Sequence, residues 1–127
     1  MTALAELIAK LEAATERSRE LDAEIWAHLN GFTGAIKGRW VGGRWSWSVG
    51  SVGVWDDELP HYTTSIDAAL TLVPEGWHWT IEGPDPLKRV SPYALLGLPG
   101  LREADGRAAT PALALCIAAL RAREAQP

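Results

Sequence analysis

The stretch RWVGGRWSW, residues 39–47, constrains this chain more than any other, because apolar and polar residues alternate on either side of a Gly-Gly pair. A period of two marks a strand with one buried face, and Gly-Gly closes a two-residue hairpin because its central positions need positive φ. The alternation runs from residue 35 to residue 54, so two antiparallel strands are expected there. In that register Trp40 lies opposite Trp45. Trp45, Trp47 and Val49 then share one face, and Arg44, Ser46 and Ser48 share the other. A second W-x-W run, WHWTI at residues 77–81, repeats the pattern with Trp77, Trp79 and Ile81 on one face and His78, Thr80 and Glu82 on the other. Its expected neighbour is the first W-x-W strand.

Helical spacing flanks these strands. Leu4, Leu7, Ile8 and Leu11 follow the i, i+3, i+4, i+7 pattern of one helix face, and Thr2 is placed to cap the first turn. After the polar break TERS, Leu21, Ile25 and Leu29 repeat every four residues up to an Asn30-Gly31 stop. VWDDELPHY reads as a loop. Thr63 or Thr64 then opens a helix with Ile66, Ala69, Leu70 and Val73 on one side, ended by Pro74-Glu75-Gly76. Gly83-Pro84-Asp85-Pro86 reads as a turn, and YALLG at residues 93–97 as a short edge strand. Thr110-Pro111 starts a helix running to about Arg123, with Arg121 and Arg123 at the negative end of its dipole. Leu113, Leu115, Cys116, Ile117 and Leu120 cover more than one stripe of that helix, which predicts burial. The order α-α-β-β-α-β-β-α gives an α+β fold: an antiparallel sheet packed with helices, an α/β sandwich, in one domain over residues 1–127.

With 47% hydrophobic and 22% charged residues the chain has the composition of a globular domain rather than a disordered one. A formal charge of −4 argues against binding a long nucleic acid, whose affinity comes from clustered cations. The one cysteine, Cys116, permits no intrachain disulfide and fits a reducing, cytoplasmic location. Glu6, Lys10 and Glu12 interrupt the apolar positions near the start, which is unlike a signal-peptide core. The longest apolar run, PALALCIAAL, is about half the roughly 20 residues of a membrane span, so no membrane partner is expected.

YTTSIDAALTLVPEGWHWTIEG at residues 62–83 and ATPALALCIAALRAR at residues 109–123 resemble the signature of the phage ABA-sandwich domain family. The N-terminal LIAKLEAATERSRELDAEI is similar to the opening of those proteins, so the resemblance covers most of the chain in three segments. It implies a sheet enclosed by helices and a small protein encoded by a phage or prophage, acting in the bacterial cytoplasm. It brings no catalytic residues. GRWVGGRWSWSVGSVGVW and PDPLKRVSPYALLGLPGLREADG fall outside the matching runs, so what is particular to this chain is expected there.

Trp45, Trp47, Trp77 and Trp79 lie on apolar faces and, in a chain with one Phe and two Tyr, are expected to fill the core. For Trp40 and Trp55, which sit near strand ends beside charges, core filling and a stacking platform are both open. Lys37, Arg39 and Arg44 gather around the Gly-Gly turn. They read either as a solvated edge that resists strand pairing or, with Trp40 and Trp55, as a site where guanidinium forks hold a phosphate and an indole stacks on a base. Lys37, Arg39, Trp40, Arg44 and Trp55 are therefore the candidate contacts for a small anionic, nucleotide-like ligand. Its capture without chemistry, by a phage factor acting against host antiviral defence, is the leading expectation. A protein-interaction or oligomeric structural module of a phage, docking on a host or phage protein through the hairpin or the leucine-rich segment, is the first alternative. The second is a phosphodiesterase built on Asp56, Asp57, His61 and His78; no catalytic residue, metal or cofactor is assigned, since His28, His61 and His78 lack ligand spacing and the acids with Glu58 read as a solvated loop. Leu95, Leu96, Leu98 and Leu101, in a segment broken by Gly and Pro, are expected to form an exposed strip through which the chain forms a homo-oligomer.

Overall fold

The computed structural model describes residues 3–83, 91–98 and 102–124. Thr2, residues 84–86 of the expected turn, and Leu101 lie outside them. The chain opens with α1 (Ala3–Ala13), which buries Leu7, Ile8 and Leu11, and α2 (Arg19–Asn30), which buries Ala23, Ile25 and Ala27. The helical stripes read from the sequence are the ones that face inward. Ser18 caps α2, its side chain accepting a hydrogen bond from the Leu21 amide, which satisfies a donor the helix leaves free.

The alternating segment then folds as β1 (Ile36–Val41), β2 (Arg44–Val49) and β3 (Val52–Trp55), an antiparallel sheet in the order β1-β2-β3. Trp40 pairs with Trp45 and Val41 with Arg44 across the Gly42-Gly43 turn, as the alternation requires. Both glycines have positive φ, 57° and 87°, the conformation that matches the right-handed twist of the flanking strands. The third strand is an addition to the expected pair. After a 3-10 turn at Asp56–Glu58 comes α3 (Ile66–Leu70), capped by Ser65 and starting a residue or two later than expected.

A second three-stranded antiparallel sheet, order β4-β5-β6, is built from β4 (His78–Glu82), β5 (Tyr93–Leu98) and β6 (Arg102–Arg107). The two W-x-W strands therefore lie in different sheets and do not pair, and YALLG forms the central strand of its sheet rather than an edge. The α+β class holds, with two sheets in place of one. α4 (Pro111–Glu124) lies across β5 and β6 and also meets α1 and α3. Its residues 112–120 and Ala122 are all buried, as the all-round apolar pattern predicts. Thr110 caps it, accepting a hydrogen bond from the Leu113 amide at 3.2 Å.

One apolar cluster joins Leu7, Leu11, Ile25, Leu72, Trp77 and the α4 residues to Ala94, Leu96 and Ala104 of the second sheet. Strand alternation puts Leu96 fully inside and packs Leu98 partly against the core, while Leu95 is half-buried on the opposite face. Among the described residues Leu95, Leu96 and Leu98 do not form the expected exposed strip, so these three give no support to an oligomer through that segment. No residue of β1, β2 or β3 belongs to this cluster. The first sheet is thus an appendage resting on α2 rather than a layer of the core. No helix among the described residues is long and apolar enough to cross a membrane.

Candidate functional site

Partners across an antiparallel pair share a face, so the register sorts the candidate residues. Ile36, Gly38, Trp40, Trp45, Trp47 and Val49 lie on one face of the meander; Lys37, Arg39, Arg44 and, through the Ser46–Trp55 pair, Trp55 lie on the other. On the first face the indoles form a row. Trp40 and Trp45 stand 6.3 Å apart at 46°, and Trp45 and Trp47 meet edge to face at 6.1 Å and 77°. Both spacings fall in the range where aromatic quadrupoles attract. The row lies close on the sheet because β1 offers a glycine under it: a Cβ at Gly38 would stand 2.6 Å from Cζ2 of Trp45.

Exposure rises steeply along this face. Val49, at the base, is 1% exposed and lines a cavity with Ala27 and His28 of α2, while Trp45 is 40% and Trp40 68% exposed. Val41, beside the turn on the other face, is 44% exposed. The four tryptophans assigned to the core therefore divide: Trp77 is buried at 7%, Trp47 is half-buried, and Trp45 and Trp79 are open to solvent. The alternation was correct but the cover was not, because α2 meets the hairpin only at its base and α4 lies chiefly over β5 and β6, with little contact on β4.

The cation face has its own order. The Arg44 guanidinium sits 4.1 Å above the Trp55 ring and reaches both oxygens of Asp57, at 2.9 and 3.1 Å. One face of Trp55 is thereby covered and the charge of Arg44 is balanced. Lys37 and Arg39 are exposed and form no ion pair among the described residues. Trp40, on the opposite face, cannot stack on a ligand held by these cations. Of the five candidate contacts, four are brought together and Trp40 is set apart.

What fixes the meander to the body is a residue without a signal in the sequence, Arg19. All five of its N–H donors are used: Nε donates to Asp56 Oδ1 at 3.0 Å, Nη1 to Asp22 Oδ2 at 2.8 Å and the Pro60 carbonyl at 3.2 Å, and Nη2 to the carbonyls of Asp56 at 2.7 Å and Leu59 at 2.9 Å. The other oxygen of the fully buried Asp22 accepts from the Thr63 amide at 2.7 Å, and Trp47 Nε1 donates to Asp56 Oδ1 at 2.8 Å. Asp56 thus bridges the indole row to the start of α2. Partial burial pushes the Asp56 carboxyl up, but the hydrogen bonds from Trp47 and Arg19, with the charges of Arg19 and His61, outweigh it and hold the group below its ordinary value. A carboxyl lowered in the fold adds stability above its unfolded value of about 3.9, and that stability is lost as pH falls through the folded value. Wild type is accordingly expected to exceed Asp56→Asn in denaturant resistance at pH 7, with the gap narrowing as pH drops below about 4; a gap independent of pH would contradict the assignment.

The residues of the phosphodiesterase alternative are not all brought together: Asp56 and His61 line one shallow pocket, while His78 stands elsewhere. Asp56 is taken by Arg19 and Trp47, Asp57 by Arg44, His61 is exposed, and His78 lies on β4 in the second sheet. Among the described residues no group of three or more His, Cys, Asp or Glu is placed to hold a metal ion. Cys116 is buried with Sγ donating to the Tyr62 carbonyl at 3.1 Å, and burial pushes its thiol far up, so it is a packing group and not a nucleophile.

Fold and surface together define an α+β protein of two three-stranded antiparallel sheets, one of them a clamped meander that displays a row of indoles beyond the body. Comparison with known protein families, with curated proteins and with solved structures gives no match to this chain.

Proposed function

We propose that the chain is a non-enzymatic docking protein whose tryptophan-bearing hairpin engages a partner protein. The observation that carries this reading is the exposure of Trp40, Val41 and Trp45 together at the end of a hairpin whose base is fixed. Adjacent large apolar side chains left in water mark contact surfaces, and Trp is the residue most enriched among binding anchors. A base held by Arg19 and Asp56 keeps the indoles ordered before binding, which lowers the entropy lost on association. Between Asn30 and Asp56 the chain carries Lys37, Arg39 and Arg44 and no acid, so the partner surface that fits is an apolar pocket with an acidic rim. The flat, solvent-open form of the hairpin suits a macromolecule better than a small ligand, for which sites are concave. A role as a phage or prophage accessory factor in the bacterial cytoplasm rests on the sequence resemblance, and in that setting the partner is a host or phage protein.

The test is affinity capture from infected and uninfected bacterial lysates with wild type and a Trp40→Ser/Trp45→Ser variant. A protein held in stoichiometric amount by wild type and reduced at least about tenfold with the variant is expected, since two central anchors lost together remove well over 1.4 kcal/mol. Identical captures from both proteins would overturn the reading.

A second reading keeps a small anionic ligand, such as a nucleotide signal of host defence, on the cation face. Its favouring observation is that Lys37, Arg39, Arg44 and Trp55 share that face. The ligand phosphates would compete with Asp57 for Arg44. Calorimetric titration with cyclic and linear nucleotides decides it: micromolar binding that disappears in Arg39→Ala/Arg44→Ala supports capture, and no binding ends it.

A further inference from the structure

We propose that the cavity between α1, α2 and the base of the β1–β2 hairpin is a binding site for a small organic cation, an amine carrying an apolar body. The cavity measures about 530 Å³, within the range of small-ligand sites. Its apolar wall is made by Leu7, Ala27, Phe32, Ile36 and Val49, drawn from the two helices, the α2–β1 connection and both strands of the hairpin. The polar lining is lopsided. Glu6 and Glu24 face a single Lys10, with His28 beside them, so the carboxylates outnumber the ammonium.

Glu24 gives the site its directional group. Lys10 Nζ bonds Glu24 Oε1 at 2.7 Å, while Oε2 is shielded from solvent and meets no donor among the described residues. A carboxylate oxygen without a partner is costly where water cannot reach it, and a ligand N–H supplies what it lacks. The terminal torsion of a Glu side chain is broad and moves both oxygens together, so a ligand cation that draws the carboxylate toward the cavity competes with Lys10 for it. The excess of negative charge is felt by Lys10 itself: its hydrogen bond and charge contact with Glu24, against a small opposing effect of burial, and the more distant Glu20 and Glu6, hold its ammonium above the ordinary value. An anionic ligand of the same shape would meet Glu6 and Glu24 and be repelled. The site is independent of the docking surface, because neither Trp40 nor Trp45 lines it.

The experiment is an amide chemical-shift titration of the full chain with phenethylammonium chloride, with phenylacetate and ammonium chloride run in parallel. Saturable shifts at the amides of Leu7, Ala27, Phe32 and Val49 are expected with phenethylammonium alone. Glu24→Gln is expected to weaken binding at least tenfold. Lys10→Met, which removes the competing internal cation from an exposed position, is expected to tighten it several-fold. Equal shifts with phenylacetate, no saturable shift at those amides, or an affinity unmoved by Lys10→Met would each overturn the assignment. The second variant keeps the test decisive if Glu24→Gln fails to fold, and the docking reading stands or falls separately on Trp40 and Trp45.

Discussion

Replacing Arg19 by Ala is expected to cost about 3–5 kcal/mol of folding stability, the cost of breaking a buried ion pair from one side. Asp22 is 0% exposed and keeps only the Thr63 amide when its guanidinium is gone. A buried carboxylate in that state must be desolvated without compensation, and the carbonyls of Asp56, Leu59 and Pro60 lose their donors at the same time. Lysine is a poor substitute, because a single ammonium cannot reproduce a fork that reaches five acceptors on two sides. Arg19→Lys is expected to recover less than half of the loss. The double variant Arg19→Met/Asp22→Leu removes charge from both sides and is expected to be more stable than Arg19→Ala despite changing more. Urea denaturation followed by tryptophan fluorescence measures all three, and Arg19→Ala within about 1 kcal/mol of wild type would refute the clamp. Near-ultraviolet dichroism gives a further readout, since Trp47 loses its ordered Asp56 partner and the indole row its fixed geometry.

The same clamp shows where sequence reasoning stops. Arg19 stands in the first turn of α2, where the helix dipole disfavours a cation, so nothing local distinguishes it. Its value comes from Pro60, Leu59 and Asp56, some forty positions on, which no periodicity encodes. What periodicity does encode was legible: the stripes of α1 and α2, the Gly-Gly turn and the Trp40–Trp45 register are all local geometry, whereas in the short α3 Ile66 of the expected stripe is exposed. β3 was missed because the chain reverses after Val49 in a two-residue Gly50-Ser51 turn, with Gly50 at φ 61°, and a Gly-Ser step inside an alternating run was read as a continuation. The two W-x-W strands share a pattern without sharing a sheet, since similarity of faces says nothing about which edge a strand meets. For the candidate site, alternation placed Trp45 and Arg44 on opposite faces with Trp40 across from Trp45, and the separation of Trp40 from Arg44 was implicit in it. How far α2 reaches under the hairpin is a tertiary fact, and that alone decides which indoles meet water.

β6 was missed for a reason that leads to the second large effect. Its inward residues, Ala104 and Gly106, are small, so READGR carries no apolar alternation to recognise. The smallness is a packing requirement. A Cβ at Gly106 would run into the Ala114 carbonyl oxygen and stand 2.9 Å from both the Ala118 nitrogen and the Ile117 Cβ, and two of these neighbours are helix backbone that no rotamer change can move. Gly106→Ala therefore forces α4 away from β6, and a core already at crystal-like density has no slack to receive it. The expected cost is about 3 kcal/mol, the upper end for overpacking, and Gly106→Val is expected to leave no cooperative fold. In thermal melts the alanine variant should lose on the order of 10 °C, the shift such a cost produces in a domain of this size. The effect should be general rather than local, because α4 supplies much of the common cluster and touches β4, β5, β6, α1 and α3. Protection of the α4 amides and of the β5–β6 pairs against hydrogen exchange is expected to fall together. The Trp40–Trp45 row, hung on α2 outside that cluster, is the contrasting reporter: at temperatures below the melt its fluorescence should match wild type in Gly106→Ala. An alanine variant as stable as wild type would mean that α4 and β6 do not approach as closely as this packing requires.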